Sequence, residues 1–501
     1  MNRGIIRYVL GSVIKIEAIL LMVPLFTALI YHESEGKHYL AVALVCLITG
    51  SLLTFKKPHD SVFYLKEGCI STAASWIVLS LFGAIPFVLT GEIPHYLDAL
   101  FETVSGFTTT GASIVEDVES FSHCSLLWRS FTHWIGGMGV LVFLLAIIPM
   151  SGGGSINLMR AESPGPSVGK LAPKMKTTAS ILYTIYICMT MIEFALLVFA
   201  KMPVFDAICT AFATAGTGGY GIKNSSIGDY SVPIQWIVTI FMILFGVNFN
   251  AYYYLQEKDY KKAFAMEEVR TYFIVIFAAI AAITFNILKE CTGFFDALTK
   301  SAFQVGSIIT TTGFSTTDFD TWPAFSKTIL VLLMFVGACA GSTGGGIKIS
   351  RFIIFFKAFF KEADSYIHPK SVKKITIDNK PLAHDVLRST NVFLNVYILV
   401  FVCSILIVSL DNRDMQTNFT AVVATFNNIG PGLADVGPTQ NFNGFSYLSK
   451  VILMIDMLAG RLELFPIIIL FHPELWKEFL WRRDARRKKI QKMIDEKKTG
   501  L

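Results

Sequence analysis

The chain has 501 residues, of which 53% are hydrophobic and 16% charged, and its mean hydropathy is +0.56. Soluble domains carry about 25% charged residues, so this deficit excludes a soluble enzyme and indicates a membrane protein. The net charge of +6 gathers at one end, where residues 474–501 hold ten Lys/Arg against five acids. Because they follow an apolar helix, membrane topology explains them better than nucleic-acid binding does. The eight cysteines include no CxxC pair, which argues against both a zinc site and a disulfide framework.

A helix needs about 20 apolar residues to cross a bilayer. Ten stretches qualify: Val9–Tyr31, Tyr39–Phe55, Ile70–Leu89, Leu126–Ile148, Ala179–Ala200, Ile234–Leu255, Tyr272–Leu288, Ile329–Phe356, Val392–Leu410 and Leu448–Phe471. The first follows Arg3 and Arg7 and lacks a small-residue cleavage site, so it reads as a retained helix rather than a signal peptide. After the first two, the spans fall into pairs. Each pair encloses a shorter segment, namely Tyr96–Phe107, Val204–Thr214, Phe294–Ile309 or Asn418–Phe426. These are too short to span and read as re-entrant half-helices, which are tolerated where they line a watery path.

Each half-helix runs into a polar, glycine-containing stretch: Thr108–Ser113, Ala215–Gly221, Thr310–Ser315 and Asn427–Gly432. The pivotal glycines Gly111, Gly219, Gly313 and Gly430 lie 108, 94 and 117 residues apart. The expected architecture is an all-α polytopic membrane protein with four helix–half-helix–helix repeats around one central pore. Its divisions are an N-terminal two-helix hairpin (1–60), repeats at 61–158, 159–262, 263–370 and 371–473, and a basic tail (474–501). Asp98, Asp206 and Asp296 mark the starts of three half-helices, and the fourth lacks the matching triplet.

Charge fixes the expected orientation. Nine Lys/Arg lie between Lys348 and Arg388, and Arg160, Lys170, Lys174 and Lys176 follow repeat one. Glu116, Asp117, Glu119, Asp318, Asp320 and Asp435 follow the glycine stretches instead. Basic loops inside put both termini in the cytoplasm and give the pore an acidic outer mouth that would concentrate cations.

To pass a dehydrated cation, a pore must replace the ion's water shell with oxygen ligands such as rings of backbone carbonyls. Glycine allows the required backbone angles, threonine adds hydroxyls, and half-helix C-termini add a favourable field. A single Thr-Thr-Thr-Gly is compatible with an ordinary helix-ending loop; four in equivalent places argue for a filter.

The four filter-like stretches, the run Trp128–Gly139, Arg160–Pro166, Gly341–Lys348 and Gly460–Phe465 together resemble the bacterial TrkH-type branch of the Trk/Ktr/HKT superfamily of potassium uptake proteins. The resemblance covers nearly the whole chain. It implies a potassium-binding filter at Thr109, Thr110, Gly111, Thr217, Gly218, Gly219, Thr311, Thr312, Gly313, Asn428, Ile429 and Gly430. In plant relatives, serine at the first-repeat position is associated with sodium transport, whereas this chain has Gly111. The resemblance further implies a gate made of the intramembrane loop Gly341, Ser342, Thr343, Gly344, Gly345 and Gly346, with Arg461 as an electrostatic barrier beneath the filter. From the residues alone, the loop could be a kinked packing helix, and Arg461 could pair with Asp456 or Glu463. His133-Trp134 reads as a helix contact.

The function so implied is channel-like potassium uptake across the bacterial cytoplasmic (inner) membrane. The alternative is a proton- or sodium-coupled symporter, with Glu193 and Asp456 as the candidate carboxylates. The chain itself is not expected to be an enzyme or to bind a cofactor; potassium is its substrate. Expected partners are membrane lipid, a second copy of the chain, and a cytosolic TrkA-type regulatory ring that binds NAD, ATP or ADP. No nucleic-acid partner is expected.

Overall fold

Residues 2–58, 65–139, 175–370 and 374–473 are described by the computed structural model. The later part of the expected Leu126–Ile148 span, the Arg160–Pro166 motif with Lys170 and Lys174, the side chain of Lys176 and the 474–501 tail lie outside the described residues.

The N-terminal hairpin consists of α1 (Arg3–Leu20) and α2 (Met22–Tyr31), which form one 29-residue apolar span, and α3 (Gly36–Thr54). Glycines bring its two arms together: a Cβ on Gly50 would stand 2.7 Å from the Gly11 carbonyl.

Repeat one contains α4 (Leu65–Gly83), α5 (Ile85–Thr90), the half-helix α6 (Tyr96–Phe107) and α7 (His123–Met138). Repeat two contains α8 (Met175–Phe199), the half-helix α9 (Val204–Gly216), α10 (Val232–Phe245), α11 (Phe249–Gln256) and the short α12 (Tyr260–Ala265). Repeat three contains α13 (Glu267–Ile287), the half-helix α14 (Phe294–Ile309), α15 (Ala324–Val336) and α16 (Ile349–Ile367). A two-residue antiparallel pair, Thr376–Ile377 with Lys380–Pro381, leads into repeat four. That repeat contains α17 (His384–Val408), the half-helix α18 (Met415–Phe426), α19 (Tyr447–Arg461) and α20 (Phe465–Leu470).

The half-helices form the inner layer and the long first helices the outer one. In α14 every residue from Ser301 to Ile309 is buried, whereas Ile274, Phe277 and Phe285 on α13 and Leu399 and Leu406 on α17 are exposed. An exposed apolar girdle around a buried polar centre is what a lipid surround favours.

Carboxylates stand at all four half-helix N-termini, where they complement the helix dipole. Asp98 pairs with Lys450 at 2.6 Å, Asp206 accepts from the Tyr230 hydroxyl at 2.7 Å, and Asp296 pairs with Lys300 at 3.0 Å. In the fourth repeat Asp414 takes the role as N-cap, accepting the Thr417 N–H at 2.9 Å.

Three of the ten expected spans are broken, one of them, Ile329–Phe356, where its glycines already indicate a discontinuity. Among the described residues, six helices are long and apolar enough to cross a membrane. The expected Ile234–Leu255 span is bent by 92° between α10 and α11, Ile329–Phe356 is interrupted between α15 and α16, and Leu448–Phe471 breaks after Arg461. Left-handed backbone ends two of these helices: Gly337 has φ 70° after α15, and Glu463 and Leu464 have φ 61° and 66° after α19.

Candidate functional site

All four half-helices end in the same backbone turn. Thr109 N–H donates to Gly106 and Thr110 N–H to Ser105, at 3.1 and 2.9 Å. The bonds recur from Thr217 and Gly218, from Thr311 and Thr312, and from Asn428 and Ile429, with oxygen distances between 2.8 and 3.2 Å. This paired pattern is a Schellman motif, which satisfies carbonyls orphaned at the helix end. It requires a left-handed residue, and Thr109, Thr217, Thr311 and Asn428 supply it with φ of 55°, 55°, 59° and 55°. Glycine is the usual choice there; a β-branched residue in that region is strained, a state that persists only where surroundings enforce it.

Two residues further on, Gly111, Gly219, Gly313 and Gly430 are left-handed again, with φ of 76°, 76°, 86° and 97°. Alternating backbone hand lets successive carbonyls face one side. The glycines also close a ring. A Cβ on Gly111 would overlap the Gly218 carbonyl oxygen, one on Gly219 that of Thr312, one on Gly313 that of Ile429, and one on Gly430 that of Thr110. Each glycine therefore touches the next repeat, and the fourth returns to the first. A cavity of about 170 Å³ opens on the ring and is lined by all four glycines.

Side chains lock this ring from behind. Thr108 and Thr110 share a hydroxyl bond at 2.8 Å, and Thr310 and Thr312 share the equivalent one at 2.7 Å. Asn428 substitutes for a threonine in repeat four by donating to Thr110 Oγ1 and to the Met457 carbonyl, both at 2.9 Å. The His133 ring stacks on Tyr220 at 4.1 Å, against Gly218, in keeping with a packing role. Glu102 and Arg129 form a buried pair at 2.7 Å. Glu102 also accepts from Ser113 Oγ and Ile114 N–H, while Arg129 reaches the Gly221 carbonyl at 3.3 Å and covers the Tyr220 ring. Lone charges within the apolar segments around Arg129 and Lys450 were the sequence signal for these braces.

The glycine loop of repeat three packs under the ring. Gly345 N–H donates to Thr311 Oγ1 at 2.6 Å. A Cβ on Gly344 would stand 2.7 Å from the Thr310 carbonyl, and one on Gly345 2.5 Å from that of Asn427. Arg461 joins the same place: it donates to the Thr343 carbonyl at 2.7 Å, to Thr109 Oγ1 at 3.3 Å, and to the Gly136 and Gly137 carbonyls at 2.5 and 2.7 Å. The acids the sequence offered as its partners are engaged elsewhere. Glu463 pairs with Arg351 at 2.6 Å, and Asp456 accepts from Ser404 at 2.7 Å.

The acids after the glycine stretches stand among basic residues and in turns. Glu116 lines the cavity, but so do Lys223 and Arg129. Asp117 and Asp318 cap turns by accepting from Glu119 and Asp320 N–H, and Asp435 pairs with Arg413 at 2.7 Å.

A family model described as "TrkH: Cation transport protein" matches residues 36–483. The Trk system potassium uptake protein TrkH of Salmonella typhimurium is 35% identical over 486 residues, covering 95% of this chain and 100% of the relative. The Trk system potassium uptake protein TrkG of Escherichia coli K12 is 31% identical over 482 residues, covering 94% and 98%. The crystal structure of the potassium transporter TrkH from Vibrio parahaemolyticus superposes with a TM-score of 0.86 at 29% identity, covering 95% of this chain and 100% of that one. With the family model spanning most of its length, this chain belongs to the TrkH family of cation transport proteins.

Proposed function

We propose that the chain is the potassium-translocating subunit of an uptake system in the bacterial cytoplasmic membrane, working as a channel-like pore. The observation that carries this reading is the closed ring of four like backbone turns, in which each pivotal glycine rests on a carbonyl of the next repeat. The proposed ion ligands are carbonyls and hydroxyls of Thr109–Gly111, Thr217–Gly219, Thr311–Gly313 and Asn428–Gly430, contributed by repeats at 61–158, 159–262, 263–370 and 371–473. The loop Gly341–Gly346 and Arg461 form the gate. Their contacts with Thr109, Thr310, Thr311 and Asn427 support this assignment by linking loop and ring directly.

Both termini are assigned to the cytoplasm, on the strength of the basic segment Lys348–Arg388. The name "Trk system" borne by the relatives supports a multi-component assembly. In this proposal a second copy and a cytosolic nucleotide-binding ring are the partners, docked on the basic faces.

Flux from liposomes containing the purified chain tests the function. Potassium and rubidium are expected to pass faster than sodium and lithium; equal rates for all four remove the selective filter. Current reversing at the potassium equilibrium potential supports the channel, whereas a reversal set jointly by potassium and pH establishes symport.

A further inference from the structure

Helix α13 begins with two consecutive glutamates that grip the chain on either side of the glycine loop. Glu268, 8% exposed, accepts the Ala340 N–H on Oε1 at 2.6 Å and the Asn248 amide on Oε2 at 3.1 Å. Ala340 directly precedes Gly341. Asn248 lies in the break of repeat two, where its side chain caps α11 through the Asn250 N–H at 2.9 Å. The next residue, Phe249, donates its N–H to the Gly341 carbonyl at 3.1 Å. Glu267, more exposed, holds Lys357 at 2.6 Å on α16, beyond the loop.

A buried carboxylate must recover through hydrogen bonds what it loses in hydration, and losing one such donor is costly. Bonds to an ionised acceptor are also about twice as strong as neutral ones. One donor to Glu268 is the Ala340 N–H at the start of the loop, so lifting the loop strips the carboxylate of that partner. We propose that Glu268 is the latch of the gate. Its carboxylate fastens the glycine loop, through Ala340, to the break in repeat two, and sets how often the path under the ring clears. The inference rests on the reading of the loop as the gate.

Cys339, fully buried beside Ala340, is a native reporter of the latch. The experiment uses the full chain in liposomes with the remaining cysteines replaced by serine. It follows maleimide labelling of Cys339 together with rubidium flux. Glu268→Ala is expected to raise both by roughly 10-fold, the size of a lost charged hydrogen bond. Glu268→Gln keeps the shape and one acceptor, so it safeguards folding; both readouts should rise less. Lys357→Ala removes a half-exposed pair and should leave both near the parent values.

Unchanged Cys339 labelling in the two Glu268 variants overturns the latch. An effect of Lys357→Ala as large as that of Glu268→Gln overturns the assignment to Glu268. Faster labelling with unchanged flux upholds the latch and removes the loop's gating role, so the two failures are separable.

Discussion

Thr109, Thr217 and Thr311 hold a backbone conformation that β-branched residues avoid, and they hold it because two hydrogen bonds and a neighbouring repeat enforce it. Gly111 has less freedom still, since any side chain there meets the Gly218 carbonyl. Gly111→Ser should therefore displace that carbonyl and lower the potassium-to-sodium flux ratio; an unchanged ratio would remove the repeat-one glycine from the filter. Arg461 presents its guanidinium to the loop and the ring at once. Arg461→Gln should raise flux by roughly 10-fold or more, because a unit charge ~4 Å away is worth about 4 kcal/mol at an effective dielectric of ~20. Unchanged or lower flux in a monodisperse protein would contradict the barrier. Far from the ring, burial alone would raise the Glu33 carboxyl, but bonds from the Cys124 and His123 N–H groups and the His123 ring hold it below the usual range. Its stabilising contribution is present above the ordinary carboxylate pKa and fades as pH falls through the lowered value. Glu33→Gln should flatten the acid side of a melting-temperature profile, and an unaltered profile would assign no such role to Glu33.

Elements were unevenly legible in the sequence. The half-helices Tyr96–Phe107 and Phe294–Ile309 were readable to the residue, because each starts near a Gly, Pro or His and ends at its glycine stretch. The breaks after Phe245 and Arg461 were not, because isolated polar residues such as Asn248 and Glu463 do not by themselves end an apolar helix and the bend depends on tertiary bonds such as Cys339 N–H to the Gly246 carbonyl. The loop at 341–346 was visible because glycines interrupt an apolar run, but its fastening to Glu268 was not, since the two lie 72 positions apart. Gly345→Ala sets a methyl against the Asn427 carbonyl and should push the loop off the ring; raised rubidium flux is the expected readout, and lowered flux would deny that the loop obstructs. The Glu102–Arg129 brace joins α6, α7 and the repeat-two glycine stretch at Gly221. Glu102→Ala strands a buried guanidinium and should cost about 3–5 kcal/mol, measured as lost thermal stability. If removing both partners costs as much as removing one, the loss belongs to the stranded charge; a strictly additive double variant would show that the pair does not act as a unit.

For the whole molecule, the fourfold plan was recoverable because the glycine phrases recur between spans, whereas the assembly's contact faces were not, since basic segments serve topology and docking alike. Capturing the proposed cytosolic partner at low and high salt separates these roles. Yield should fall as salt rises if the basic faces dock it, and a salt-independent yield would count against an electrostatic dock. The ring also has a consequence for how such a protein can change. In a tetramer of identical chains every substitution appears in quadruplicate. Here, Thr-Thr-Thr-Gly, Gly-Thr-Gly-Gly and Asn-Asn-Ile-Gly make the same turn within one polypeptide. One quadrant can thus be retuned while three preserve the conformation, so in the proposed filter selectivity would be open to adjustment in quarter steps.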